Sequence, residues 1–231
     1  MIRSLVFVAL LLLPANSWAV AFVADAAVTW QFSGPSDSVS RTIPVADGIL
    51  LGCGVFNGNT DTVTATIAGT GPVESYQSEG DTGEINYLAV FIGAPSGSQT
   101  VAISGLDSGD GISCGFKGLT AVHTTDPFSN PVNTNTALGS GLGITTTADG
   151  IAVGMMLHGS TASVASSNTE QWESPLSANH NMSGNVGSAA GTGGTVTLVW
   201  TGTPLYFISG FNLNNAVAVD NVGFFRRRGA Q

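Results

Sequence analysis

The chain has 231 residues, of which 43 % are hydrophobic and only 9 % charged, with 31 glycines and two cysteines. Fifteen Asp and Glu against six Lys and Arg give a net charge of −9. So few cations are unable to neutralise several phosphates, which argues against nucleic acid as the main partner. The surface is hydrogen-bonding rather than ionic, and the length suffices for one large domain with a real core.

Met1-Ile2-Arg3-Ser4 leads into an apolar run from Leu5 to Ala15, and Asn16-Ser17-Trp18-Ala19-Val20-Ala21 follows. One positive charge, about eleven apolar residues and small residues at alternate positions fit a secretory signal peptide over residues 1–21. Cleavage after Ala19 and after Ala21 satisfy the small-x-small rule equally. Pro14, Asn16 and Ser17 interrupt the run before it is long enough for a membrane anchor, and no further span follows. The expected location is secreted or extracytoplasmic: periplasm, cell surface or virion.

From Ala27 onward the signals are those of strands. Ala27 to Phe32 alternates and stops at Gly34-Pro35; Ser38 to Ile43 alternates before Pro44. Asp47-Gly48 then turns into Ile49 to Phe56, a strand too apolar to face water on either side. Thr62 to Ala68 alternates Thr with apolar residues. Glu84 to Ile92 reads as a buried strand, and a Pro-Ser-Gly turn carries it into Gln99 to Ser104 and then Gly111 to Leu119. Thr120 to Thr136, with two prolines and several Asn, reads as an irregular crossover. No window has a helical period.

The second half repeats the first. Asp149-Gly150-Ile151-Ala152-Val153-Gly154-Met155-Met156-Leu157-His158 echoes Asp47 to Phe56, Glu170 to Ser174 echoes Glu74 to Ser78, Gly194 to Leu198 echoes Gln99 to Ile103, and Ile208-Ser209 echoes Ile112-Ser113. A duplicated unit over residues 47–119 and 149–213 is implied. Neither copy is large enough for a full core, so the two are expected to interleave in one sandwich of about ten to twelve strands. Residues 22–225 form the domain and 226–231 a basic tail, whose Arg226 to Arg228 read as a solvated end.

On strict alternation Cys53 shares a face with Ile49, Leu51 and Val55, and Cys114 shares one with Ile112 and Phe116, opposite Lys117. In the echo Met155 stands in place of Cys53, and Gly210 or Ser209 in place of Cys114, so the two thiols are absent together. In an oxidising compartment a buried Cys53–Cys114 disulfide is expected over two free thiols. Closing a loop of about 61 residues is worth about 4 kcal/mol in the chain-entropy model. No metal or cofactor is implied.

Chemistry-bearing residues are sparse. His123, His158 and His180 lie in no catalytic frame, and no G-x-S-x-G elbow exists; His158 reads as a satisfied structural residue and His180 as exposed loop. Glu170 and Glu173 flank Trp172, and Glu74 stands two before Tyr76. On paper these offer an acid, a base and a sugar-stacking ring, whereas the packing reading makes the ring a cross-strand contact and each Glu its solvent-facing neighbour. Trp172, in the polar segment Thr169 to Pro175, is the first choice for a ligand platform, whereas Trp30 and Trp200 read as core. Asn57 to Asp61 and Asp107 to Gly111 have the composition of calcium loops but miss the alternate-ligand spacing, and a tight turn explains each. Asn181-Met182-Ser183 is the one glycosylation sequon.

The Trp-bearing first strand, I-L-L-G-C-G-V at 49–55, I-N-Y-L-A-V-F-I-G-A-P-S-G at 85–97, T-V-A-I-S at 100–104, G-L-T-A-V-H-T-T-D-P-F at 118–128 and D-G-I-A-V-G at 149–154 form a pattern. It resembles a diffuse group of jelly-roll-like β-sandwich domains of exported bacterial proteins and phage virion proteins, over residues 27–225. The resemblance implies a fold and no activity or functional residues. The expectation is an all-β, jelly-roll-like sandwich without enzymatic activity, in glycan or cell-surface attachment or in an extracellular or virion assembly, partnered by a glycan, itself or another surface protein. The alternative is a carbohydrate-active hydrolase using Glu170, Glu173 or Glu74.

Overall fold

The computed structural model describes residues 19–56, 61–80, 83–134, 141–159, 163–164, 168–177, 180, 182–201 and 205–216. The predicted leader up to Trp18, Asn181 of the sequon and Arg226 to Arg228 lie outside the described residues. All regular structure within them is antiparallel β.

The first set of strands is β1 (Ala21–Phe22), β2 (Val28–Ser33), β3 (Ser36–Ile43), β4 (Gly48–Phe56), β5 (Thr64–Ile67), β6 (Glu74–Glu79), β7 (Ile85–Ile92), β8 (Gly97–Ser104) and β9 (Gly111–Thr120). The second set is β10 (Phe128–Thr134), β11 (Gly141–Thr145), β12 (Ile151–Gly159), β13 (Ser163–Val164), β14 (Thr169–Glu173), β15 (Met182–Ala190), β16 (Thr195–Thr201) and β17 (Leu205–Leu213).

A large sheet runs β2-β9-β4-β7-β6, with β1 also on β9, and a small sheet runs β3-β8-β5. The second set repeats both orders strand for strand, as β10-β17-β12-β15-β14 and β11-β16-β13. The topological repeat therefore begins at β2 and β10. The spans 47–119 and 149–213 cover its last six strands in each set.

The two sets do not interleave. Every sheet draws its strands from one set, and among the described residues seventeen strands stand where ten to twelve were expected. The reason lies in β4, whose two faces feed two different cores. Ile49, Leu51, Cys53 and Val55 pack with Ala65, Ile67, Val101 and Ile103 of the small sheet. Leu50 and Phe56 face the other way, into a cluster with Val153, Met155, Leu157, Val186 and Phe211 of the second large sheet. A third cluster, with Ala152, Met156, Leu198, Trp200 and Ile208, fills the second set's own interior. Each large sheet thus has one apolar face covered by its own small sheet and one left over. The two leftover faces cover each other, β6 lying against β10, β7 against β12 and β17, β4 against β15, and β9 against β14 and β15.

Cys53 and Cys114 are directly opposed on β4 and β9 and form a disulfide, with Cα atoms 4.1 Å apart, as in the closely spaced pairs of an antiparallel ladder. Both are fully buried, on the face the alternation assigned to them. Met155 does not occupy the equivalent place, because it faces the cluster between the large sheets. A shift of one residue exchanges the faces of a strand, and aligning Asp47-Gly48 with Asp149-Gly150 introduces that shift. The interior counterparts of the cystine are Gly154 and Gly210, directly paired on β12 and β17. A Cβ at Gly154 would meet the Trp200 ring at 2.7 Å, and one at Gly210 would meet Ile144 at 3.0 Å. One copy fills this position with a disulfide and the other with the indole of Trp200.

The crossover Thr120 to Thr136 contains a strand, β10, at the edge of its sheet. Pro131 sits in it where the register shifts between Ser129 and Val132, beside Asn130 at φ 54. Edge strands and bulges are the places in a sheet that tolerate proline.

Candidate functional site

Trp172 is not a platform. Its side chain is 4 % exposed and lies between the large sheets, beside Gly52 and Gly115. A Cβ at Gly115 would overlap its pyrrole edge, so the absence of a side chain there admits the ring. The polar segment misled because β14 is an edge strand with a register shift between Glu170 and Trp172. Its charged neighbours point to solvent while the ring turns inward.

Glu170 and Glu173 are exposed but committed to neighbouring strands. Glu170 Oε2 accepts from Asn185 Nδ2 at 3.0 Å, and Asn185 Oδ1 in turn accepts from Trp200 Nε1 at 3.1 Å. Glu173 Oε1 accepts from Ser183 Oγ at 3.3 Å and lies 3.5 Å from His158 Nε2. Glu74 and Tyr76 are on β6, the opposite edge strand of the back-to-back pair, where Glu74 Oε2 accepts the Phe128 amide at 3.4 Å. Burial pushes the Glu74 carboxyl up, opposed by that amide and assisted by the charge of Asp126. Burial likewise raises the Tyr76 phenol. Because β14 lies over β9 and β6 lies over β10, the two carboxylate-and-ring sets are on opposite sides of the molecule and share no cleft.

The structure does gather a Ser, a His and a Glu. Ser183 Oγ is 3.1 Å from His158 Nε2, on residues directly opposed in the β12–β15 ladder. His158 Nδ1 is held by the Gly159 carbonyl. Nucleophilic catalysis wants the carboxylate on the nitrogen remote from the serine. Here Glu173 approaches the same nitrogen as Ser183, and both Ser183 and His158 are fully buried. The cluster fastens β12, β14 and β15 together, in keeping with the structural role read for His158. His180 is half-buried rather than exposed, its Nε2 3.4 Å from the Gly109 carbonyl.

No protein-family model, no curated protein and no solved structure matches the chain. The functional reading therefore rests on the surfaces the fold presents.

The most regular of these is the outer face of the first small sheet. Ser36, Ser38, Ser40 and Thr42 of β3 point outward beside Ser104, Ala102, Thr100 and Ser98 of β8, and Thr64 and Thr66 of β5 complete the far row. Ser40 and Ser98 are hydrogen-bonded at 2.7 Å, Thr64 and Ser104 at 2.8 Å. Arg41 belongs to the inner face, its guanidinium 5.1 Å from the centre of the Trp30 ring. The second small sheet presents Thr145, Thr195, Thr197 and Thr201 in the corresponding position, with Gly141, Gly143 and Val199 between them. Both outermost faces of the stack are thus uncharged at the described positions of β3, β5, β8, β11 and β16. Sequence alternation alone placed Ser38 to Ile43 and Thr62 to Ala68 on strands. It did not reveal that their hydroxyls lie side by side, which depends on the register of three strands.

Among the described residues no group of three or more His, Cys, Asp or Glu is placed to hold a metal ion, and no helix is long and apolar enough to cross a membrane.

Proposed function

We propose that the chain is an exported, non-enzymatic attachment module that binds a neutral, hydroxyl-rich polymer at a cell surface through the outer faces of its small sheets. The uncharged hydroxyl ladder on β3, β8 and β5 carries this reading. Solvent faces of antiparallel sheets ordinarily carry charged side chains that blunt association. A face with hydroxyl donors and acceptors and no charge offers most to a partner of the same kind. Rows about 4.8 Å apart, repeating about every 7 Å along each strand, match an extended polymer rather than a compact ligand.

Export is supported by the leader pattern and by the buried disulfide, which an oxidising compartment maintains. Val20 is buried, its N–H reaches the Asp149 carbonyl at 3.3 Å, and Ala21 and Phe22 pair with β9. These contacts favour cleavage after Ala19 over cleavage after Ala21. The strand order supports the jelly-roll-like reading, since from β2 to β9 and from β10 to β17 consecutive strands alternate between large and small sheet except at the β6–β7 hairpin and its counterpart β14–β15. The hydrolase alternative is disfavoured because Glu170 and Glu173 are bonded to Asn185 and Ser183 and the Trp172 ring between them is buried.

Co-sedimentation with insoluble neutral polysaccharides (cellulose, chitin, starch granules) tests the proposal. Binding to one of them that falls at least tenfold in Ser40→Arg/Thr100→Arg, with an unchanged melting temperature, is the expected result. Absence of binding together with large ordered oligomers in light scattering would replace attachment with assembly.

A further inference from the structure

Asp61, the described end of one segment of calcium-loop composition, meets the other, Asp107 to Gly111, at one end of the first set of strands. Asp61, before β5, and Asp110, before β9, are 8 % and 1 % exposed, and their carboxyl groups are hydrogen-bonded to each other. Neither can swing into water, because its backbone is anchored. Gln77 of β6 donates from Nε2 to the Asp61 carbonyl at 2.5 Å and accepts the Val63 amide at 2.9 Å. Asp110 Oδ2 accepts the Asp107 amide at 2.7 Å, closing its own turn. Gly105, at φ 84, packs so tightly on Thr62 that a Cβ would overlap the Thr62 carbonyl.

Asp61 Oδ2 is buried with no N–H or hydroxyl donor. The described cations are engaged elsewhere, Arg41 over Trp30 and Lys117 with Gln171 Oε1 at 3.1 Å. Asp61 and Asp107 supply the negative charge acting on Asp110, and His180 of the second set lies across the turn at the Gly109 carbonyl. Two anchored carboxylates in contact and without a counter-ion cannot both stay ionised.

We propose that Asp61 and Asp110 form a proton-operated latch, which joins residues 61–63 ahead of β5 to the β8–β9 connection in mildly acid water and loosens them at neutral pH. The Asp110 proton completes the bond to the Asp61 carboxylate. Burial first, then the bond to Asp61 and the charges of Asp61 and Asp107, push the Asp110 carboxyl up to about 6, against the Asp107 amide. A carboxyl whose folded value lies above its unfolded value contributes stability that is complete below the unfolded value of 3.8 and is lost as pH rises through about 6. An attachment module so built holds its loop end firmly in acid surroundings and relaxes it near neutrality.

The test compares melting temperatures of the full mature chain and of Asp110→Asn between pH 4.5 and 7.5. Asparagine keeps a donor toward Asp61 without a titrating proton. The wild type should lose about 4 to 8 °C relative to the variant over this range. Taking the difference cancels titration of the histidines, which falls in the same range. Should Asp110→Asn not fold, the side-chain carboxyl carbon of Asp110 in wild-type protein reports directly by NMR, with an expected midpoint near 6. Parallel melting curves, or a midpoint near the ordinary aspartate value, would overturn the latch. So would a rise in wild-type melting temperature at pH 7.5 with millimolar Ca²⁺ that Asp110→Asn abolishes, since the pair would then serve a cation.

Discussion

Trp172→Ala separates a ring that binds from a ring that packs. The indole is 4 % exposed and belongs to the cluster that joins the two large sheets, so its removal leaves a cavity bounded by strands of both sets. Truncating a buried aromatic costs about 3–5 kcal/mol, a large part of a stability of about 5–15 kcal/mol. The Trp172 N–H is buried without an acceptor, which already costs the native state about 1–3 kcal/mol. Trp172→Phe removes that unsatisfied donor along with part of the ring, so its loss should be less than half that of the alanine variant. Urea unfolding followed by far-UV circular dichroism measures both. If Trp172→Ala unfolds at the wild-type urea concentration, or if phenylalanine is as damaging as alanine, the placement of the ring between the sheets is wrong.

Two further outcomes follow from the strand interiors. Replacing Cys53 and Cys114 by alanine should lower stability by up to about 4 kcal/mol in equilibrium unfolding, given the 61-residue separation that the bond closes. Because both sulfurs are fully buried, native protein should resist dithiothreitol and become reducible only in denaturant, as read by thiol titration. Gly154→Ala should destabilise by about 1–3 kcal/mol, since its methyl group meets Trp200 and Leu198, both fully buried. Gly154→Ala combined with Trp200→Phe should recover part of that loss in the same unfolding experiment.

Much of the fold was legible in the sequence, and the reasons for success and failure are local. Runs such as Ile49 to Phe56 and Glu84 to Ile92 announced strands buried on both faces, and period-two alternation assigned Cys53 and Cys114 to one interior. What covers the second face is a tertiary fact. It is the other large sheet, which no pattern within β4 specifies. β10 was missed because Asn130 and Pro131 break the strand pattern at a bulge on an edge. Trp172 was misplaced because an edge strand one residue out of register exposes Glu170 and Glu173 while turning the ring inward. The carboxylate sets looked comparable in sequence because β6 and β14 are counterparts in the repeat. Back-to-back stacking puts those counterparts on opposite sides.

The same stacking explains why the surfaces differ in chemistry. Each large sheet spends both faces on apolar contact, so β4, β7 and β12 have no outward side on which selection for solubility or recognition can act. Among the described residues the small sheets keep one face open along β3, β5, β8, β11 and β16, whereas the large sheets meet solvent at outer strands such as β2, and on the first small sheet the alternation resolves into inward Val101 and Ile103 and outward Ser98, Thr100 and Ser104. A repeat that stacks through its large sheets necessarily presents its two small sheets on opposite sides, about three sheet spacings of about 10 Å from one outer sheet to the other. Under the proposed attachment function, two like faces pointing away from each other would make the molecule divalent toward an extended polymer. Such a module either bridges two strands of the polymer or binds one face at a time, and divalency raises avidity only in the first case. The tenfold fall expected with Arg on the outer face of β3 and β8 is therefore the loss of divalency, and the weaker one-face binding left to Thr195, Thr197 and Thr201 no longer cross-links the polymer.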